Sequence, residues 1–146
     1  MSDAPKAARM FRDGCACSQA ILGVYGTPLG LPRELAMRIT AGFAGGMRLG
    51  DTCGAVTAAF MVLGLRHGSG NCDTPAGRSE VYARVVDFAE RFGKRNGPLD
   101  CRDLLGCDIS TAEGMKEAQE RNLFMTTCVK LVEDAAEILE EMETRS

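Results

Sequence analysis

Seven cysteines stand beside a single histidine in this 146-residue chain. A cysteine thiolate is both a nucleophile and a soft-metal ligand, so thiol chemistry is the first to test. Seven is odd, and disulfides within one chain cannot consume all of them. The first fourteen residues carry Lys6, Arg9, Arg12 and Asp13 but no apolar run of a secretory signal and no twin-arginine pair. The expected compartment is therefore the reducing cytoplasm, where grouped cysteines more often bind metal or do redox work than form structural bridges. With only His67 available, a Ser-His-Asp triad or a multi-histidine metal site is excluded, and His67 itself reads as a surface histidine. The chain names a kind of chemistry, not a substrate or an enzyme class.

Three of the cysteines, Cys17, Cys53 and Cys101, fall near expected helix starts. Free N–H groups and the positive end of the helix dipole favour a thiolate there. Cys128 falls on the apolar stripe of the last helix, where a cysteine can also serve as a small hydrophobe. No CxxC pair occurs, so zinc-ribbon and thioredoxin spacings are missing. Ligands would have to converge from distant helices. Cys15, Cys72 and Cys107 read as spectators. Between residues 42 and 50 lie four glycines, Gly42, Gly45, Gly46 and Gly50. They permit conformations closed to other residues and let the backbone approach a bound group closely, at a cost in folding entropy. Met47 in that loop reads as core cover. The glycine spacing matches neither a phosphate loop nor a dinucleotide fingerprint.

The elements that must position these thiols are helical, because apolar residues recur at 3–4 residue spacing and no segment alternates like a strand. The pattern predicts a helix from about Ala16 to Tyr25, broken by Gly26-Thr27-Pro28. A second begins at Pro32 with Leu35, Ala36, Ile39 and Phe43 as its stripe. Asp51 or Thr52 would cap a third, carrying Cys53, Val56, Phe60 and Leu63, apolar nearly all round and so central. Asp73 or Thr74 would cap a fourth, clearest from Glu80 to Phe92 through Val81, Val85, Phe88 and Phe92. A short helix runs to Leu105 with Gly106 as its C-terminal cap. Ser110 to Glu113 fits a capping box before a weakly patterned helix. The last helix carries Phe124, Cys128, Leu131, Ala135, Ile138 and Met142, with its acidic residues read as a solvated face. The expectation is an all-α, single-domain bundle of about five or six helices, with residues 1–8 flexible.

Composition narrows the partners. Apolar residues at 45% and charged residues at 25% are ordinary for a globular domain and exclude a disordered tail or a membrane span. A net charge of −3 argues against a nucleic-acid footprint, and 5% aromatics without tryptophan argue against base or sugar stacking.

The blocks Gly14-Cys15-Ala16-Cys17-Ser18-Gln19-Ala20, then Gly45-Gly46-Met47-Arg48-Leu49-Gly50-Asp51-Thr52-Cys53-Gly54-Ala55-Val56, then Asp100-Cys101-Arg102-Asp103-Leu104-Leu105-Gly106, and finally Cys128, resemble the C-GCAxxG-C-C family of redox-active bacterial and archaeal proteins. The resemblance runs from about Arg9 to Leu139. It implies that Cys17, Cys53, Cys101 and Cys128 are the family's four characteristic cysteines. It also implies a prosthetic group, an iron–sulfur cluster above all, since [2Fe–2S] and [4Fe–4S] clusters both take four thiolates. Ala58 departs from the family pattern, which has glycine there. On this reading the protein transfers electrons or senses redox state. Gly45, Gly46, Met47, Gly50 and Gly54 would lie against the group, and an unidentified redox protein or a second copy of the chain would be its partner. A metal-free thiol–disulfide oxidoreductase and a structural zinc protein are the competing readings.

Overall fold

The computed structural model describes residues 1–72 and 75–144. The expected caps Asp73 and Thr74 lie outside the described residues. The architecture is all-α, with no strand among the described residues. The described residues form eight α-helices rather than five or six: α1 (Ala4–Arg12), α2 (Cys17–Gly26), α3 (Arg33–Thr40), α4 (Gly54–His67), α5 (Ala76–Asn96), α6 (Cys101–Leu105), α7 (Ala112–Glu120) and α8 (Val129–Thr144).

Helix α1 is the element that periodicity did not pick out. Its buried stripe is made of Ala4, Ala7 and Ala8, too small to register as an apolar pattern. Residues 4–8, expected to be flexible, lie in this helix, which packs on α8 and α2. Glu140 of α8 accepts hydrogen bonds from Ser2 Oγ, the Asp3 N–H and Tyr25 Oη, and so ties down the N-terminus.

Helix α4 is central, as its all-round apolar sequence requires. It packs on α2, α5 and α8. The α2–α4 contact uses small residues: Ala20, Ala55, Ala58 and Ala59 have no exposed surface. The methyl of Ala58 is thus accommodated inside the core. Phe60 meets Phe88 edge to face at 5.9 Å, and Phe88 stacks with Phe92 at 6.2 Å, which joins α4 to α5. Ile21, Leu22, Val62, Leu63, Ile138 and Leu139 fill the rest.

Four sequence expectations change. In α3, Ala36 and Thr40 are buried, while Leu35 and Ile39 are 44% and 49% exposed. An eight-residue helix leaning on α2 by one edge buries a single i, i+4 row, not a broad stripe. Asp51 and Thr52 do not cap α4; Cys53 stands at that position. The acidic face of α8 is not simply solvated. Arg95 of α5 reaches Asp134, Glu137 and Glu141 at 3.2, 2.8 and 2.6 Å, and Lys130 holds the other oxygen of Asp134 at 2.7 Å. His67 is only 15% exposed and lies 3.4 Å from Glu80, so it is a paired, half-buried group.

A smaller cluster sits beside the main core. Cys101, Leu105, Ile109, Ala118 and Leu123 are buried together, with Met115, Phe124 and Cys128 packed against them. This lobe, built from α6, α7 and the turn before α8, forms one wall of the site.

Candidate functional site

Each of the four family-type cysteines stands where a helix begins. Cys17 is the first residue of α2. The Gln19 side chain accepts the Ala16 N–H at 2.9 Å and donates to the Met37 carbonyl at 3.0 Å. Ser18 donates to the Thr40 carbonyl at 2.8 Å with no exposure. The Ser18-Gln19 pair therefore locks the Cys17 turn onto α3. Both residues sit in the quoted motif, but their positioning role has no signature in spacing.

Cys53 and Cys101 are brought side by side by backbone pairing. Thr52 and Asp100 form an isolated antiparallel bridge. The Cys53 N–H donates to Leu99 O at 2.8 Å, and the Cys101 N–H donates to Asp51 O at 2.6 Å. Both chains then turn directly into α4 and α6. Cys128 ends a wide turn, Phe124–Cys128, in which its N–H donates to Leu123 O at 3.0 Å, and α8 follows at once. Such π-type turns in helices gather at functional sites.

The glycine loop makes a left-handed turn. Gly45, Gly46, Met47 and Arg48 have φ of 67, 63, 59 and 61°, and the Asp51 N–H closes onto Gly46 O at 3.1 Å. For Met47 and Arg48 this region costs about 1–2 kcal/mol each. Gly46 is obligatory for space, since a Cβ there would run into the Asp51 backbone.

All four thiols line one cavity of about 110 Å³. Phe11, Ile109, Met115, Phe124 and Leu131 supply apolar walls, and Gly45 and Gly54 supply bare backbone. A Cβ on Gly54 would lie 2.7 Å from Cys17 Sγ and 2.8 Å from Phe43 O, so only glycine lets the thiols approach. Of the other loop residues expected at the group, Gly46, Met47 and Gly50 build the turn and do not line the cavity. Gly50 packs on Asp108 and Arg102. Arg48, not singled out from sequence, does line it. Cys72 is exposed and Cys15 half-buried, both outside the lining. Cys107 packs on the small lobe next to Cys128.

Helix starts alone do not set the thiol acidities. The Cys53 thiol donates to Cys17, which outweighs burial, and the N–H groups of Gly45, Ser18 and Ala55 add to it, so Cys17 falls to about 7. Cys53, the donor of that pair, is driven well above its ordinary value by that bond and by burial. Burial first, then the negative charge of Cys17, pushes Cys101 up to about 12. Cys128 is also raised to about 12 for the same two reasons. The cavity holds one ready thiolate and three thiols that resist ionisation while no cation is present. Among the described residues, no three cysteine, histidine or carboxylate side chains are arranged to hold a single metal ion.

A single tetrahedral zinc at about 2.3 Å from each sulfur would draw the thiolates to within about 3.8 Å of one another. A cluster spreads its four ligands over a larger volume. The homogeneous sulfur donors, the apolar walls and the bare glycine backbone fit a thiolate-bound cluster. Among the described residues no helix is long and apolar enough to cross a membrane. No curated protein and no solved structure matches the chain. The family described as "Putative redox-active protein (C_GCAxxG_C_C)" matches residues 15–142, which hold all four cavity thiols. The chain belongs to this redox-active family.

Proposed function

We propose that the protein transfers electrons or senses redox state through an iron–sulfur cluster held by Cys17, Cys53, Cys101 and Cys128. The observation that carries this reading is the meeting of four thiols, from four separate stretches of chain, on one small apolar cavity with glycine walls. When bound, such a cluster supplies reversible one-electron chemistry. The chain's own residues do the rest. Cys17 is the thiolate available near neutral pH, while Cys53, Cys101 and Cys128 must release protons as the site loads. The N–H groups of Gly45, Ser18 and Ala55 point to the Cys17 sulfur and stabilise its negative charge. Phe11, Ile109, Phe124 and Leu131 limit water, which also bears on potential. Anaerobic reconstitution with iron and sulfide should give visible absorption and near-stoichiometric iron and sulfide. The colour should be lost in serine variants of each of the four cysteines and kept in Cys72→Ser. Colourless protein with every thiol titratable would overturn the reading.

One observation favours a second reading. The Cys53 thiol donates to the Cys17 thiolate, as in a nucleophile paired with its resolving thiol. In that case Cys17 attacks a disulfide substrate, one substrate sulfur leaves as thiolate, and Cys53 then displaces the other to leave a Cys17–Cys53 disulfide. Cys53→Ser would trap the mixed disulfide on Cys17. A metal-free wild type that cycles by two electrons would establish this reading over the cluster.

A further inference from the structure

Among the described residues, Arg48 is the only charged one lining the thiol cavity. Its guanidinium folds back over the loop, with Nη1 3.1 Å from the place a Gly45 Cβ would occupy, so a side chain at 45 would displace it. Gly45 in turn presents its N–H to Cys17. Among the described residues, no carboxylate pairs with Arg48, whereas Arg38, Arg66, Arg84, Arg91, Arg95 and Arg121 are so paired. Arg48 also sits in the left-handed region with φ 61°, directly after Met47 at 59°. A turn needing only that shape would carry glycine or asparagine there. Arg48 is exposed, so its cation stands at the rim of the cavity, and an outlier tolerated beside a site in that place points to a role for the side chain.

We propose that Arg48 is a positioning residue that acts as the counter-charge of the thiol cavity: its guanidinium stabilises negative charge on the cavity sulfurs and draws anions toward them. For the free thiols this stands on the cavity geometry alone. For a bound cluster it rests on the function proposed above. A fixed cation at the rim of a low-dielectric pocket favours the more negative of two states and raises the local concentration of anionic reactants.

The test compares wild type with Arg48→Ala, Arg48→Lys and Arg48→Gly. Glycine removes the charge while relieving the left-handed backbone, so it guards against a folding defect. In reduced, metal-free protein at fixed pH, Cys17 alkylation is followed by peptide mass with iodoacetate, an anion, and iodoacetamide, which is neutral. The iodoacetate-to-iodoacetamide rate ratio should fall roughly three- to tenfold in Arg48→Ala and Arg48→Gly and be largely kept in Arg48→Lys. Salt should bring the wild-type ratio toward that of the alanine variant. An unchanged ratio in folded Arg48→Gly would overturn the proposal. In iron-loaded protein, loss of the cation should lower the reduced-to-oxidised ratio at a given potential by up to about tenfold, a fall of about 59 mV in midpoint. An unchanged midpoint would remove the extension to a bound cluster. If wild type never loads iron, the cluster reading fails while the alkylation ratio still decides Arg48.

Discussion

At the scale of single residues, the site is an argument about one thiolate among thiols. Cys17 is held near 7 because Cys53 donates to it and three backbone N–H groups converge on it, against the effect of burial. Lowering a thiol's pKa enlarges its thiolate fraction at every pH below the ordinary value. In reduced, metal-free protein the alkylation rate at Cys17 should therefore climb about tenfold per pH unit and level off above about 7. Cys101 and Cys128, at about 12, should stay unreactive at neutral pH. Cys53→Ala removes the donor and should move the Cys17 profile to higher pH; site-resolved mass spectrometry reads both outcomes. Gly54→Ala places a methyl 2.7 Å from Cys17 Sγ and 2.8 Å from a backbone carbonyl that cannot yield cheaply. It should destabilise the fold by about 1–3 kcal/mol, seen as a lower denaturation midpoint, and weaken any iron retention.

At the scale of elements, three devices assemble the cavity: a two-residue antiparallel bridge, a left-handed glycine turn and a wide turn ahead of α8. The bridge places the starts of α4 and α6 next to each other, and with them Cys53 and Cys101. The wide turn aims Cys128 at the same point before α8 settles into regular geometry. Helix α8 is held in place from α5 by the Arg95 fork to Asp134, Glu137 and Glu141. Arg95 and two of its partners are partly exposed, which limits what the network is worth. Arg95→Ala should cost about 1 kcal/mol, and the loss should shrink as salt is raised. Urea denaturation at low and high ionic strength measures it. A loss that ignored salt would mean the side chain acts through packing on α8 instead.

At the scale of the whole molecule, the two apolar clusters divide the labour. The large one, from α1, α2, α3, α4, α5 and α8, has Cys53 within it and Cys17 against it. The small one, from α6, α7 and the turn before α8, has Cys101 within it and Cys128 against it. A group bound to those thiols would tie the lobe to the bundle. Removing it should leave the bundle cooperatively folded while the lobe loosens. Hydrogen exchange on iron-loaded and iron-stripped protein should show faster exchange in 101–128 and little change in α4 and α5. Equal protection in both forms would mean that the lobe stands without the thiols being bridged.

Much of this protein follows from rules that act over a few residues. Helical periodicity predicted an all-α chain and a buried α4. Turn chemistry placed Gly106 as a left-handed cap, at φ 73°. Periodicity and turn residues put Cys17, Cys53 and Cys101 at helix starts, although Cys53 and not Asp51 or Thr52 takes the capping position of α4. These hold because caps, periods and glycine conformations are local energies. Other features depend on residues far apart in the chain and have no local mark. The Thr52–Asp100 bridge is one, and the shared cavity of the four thiols is another. The α3 stripe is narrower than its periodicity predicts because exposure of Leu35 and Ile39 depends on what α3 leans against, not on α3. The acidities of Cys53 and Cys101 run opposite to the helix-start expectation, since the bond to Cys17 and burial for Cys53, and burial beside Cys17 for Cys101, outweigh a helix N-terminus once the chain has closed around them.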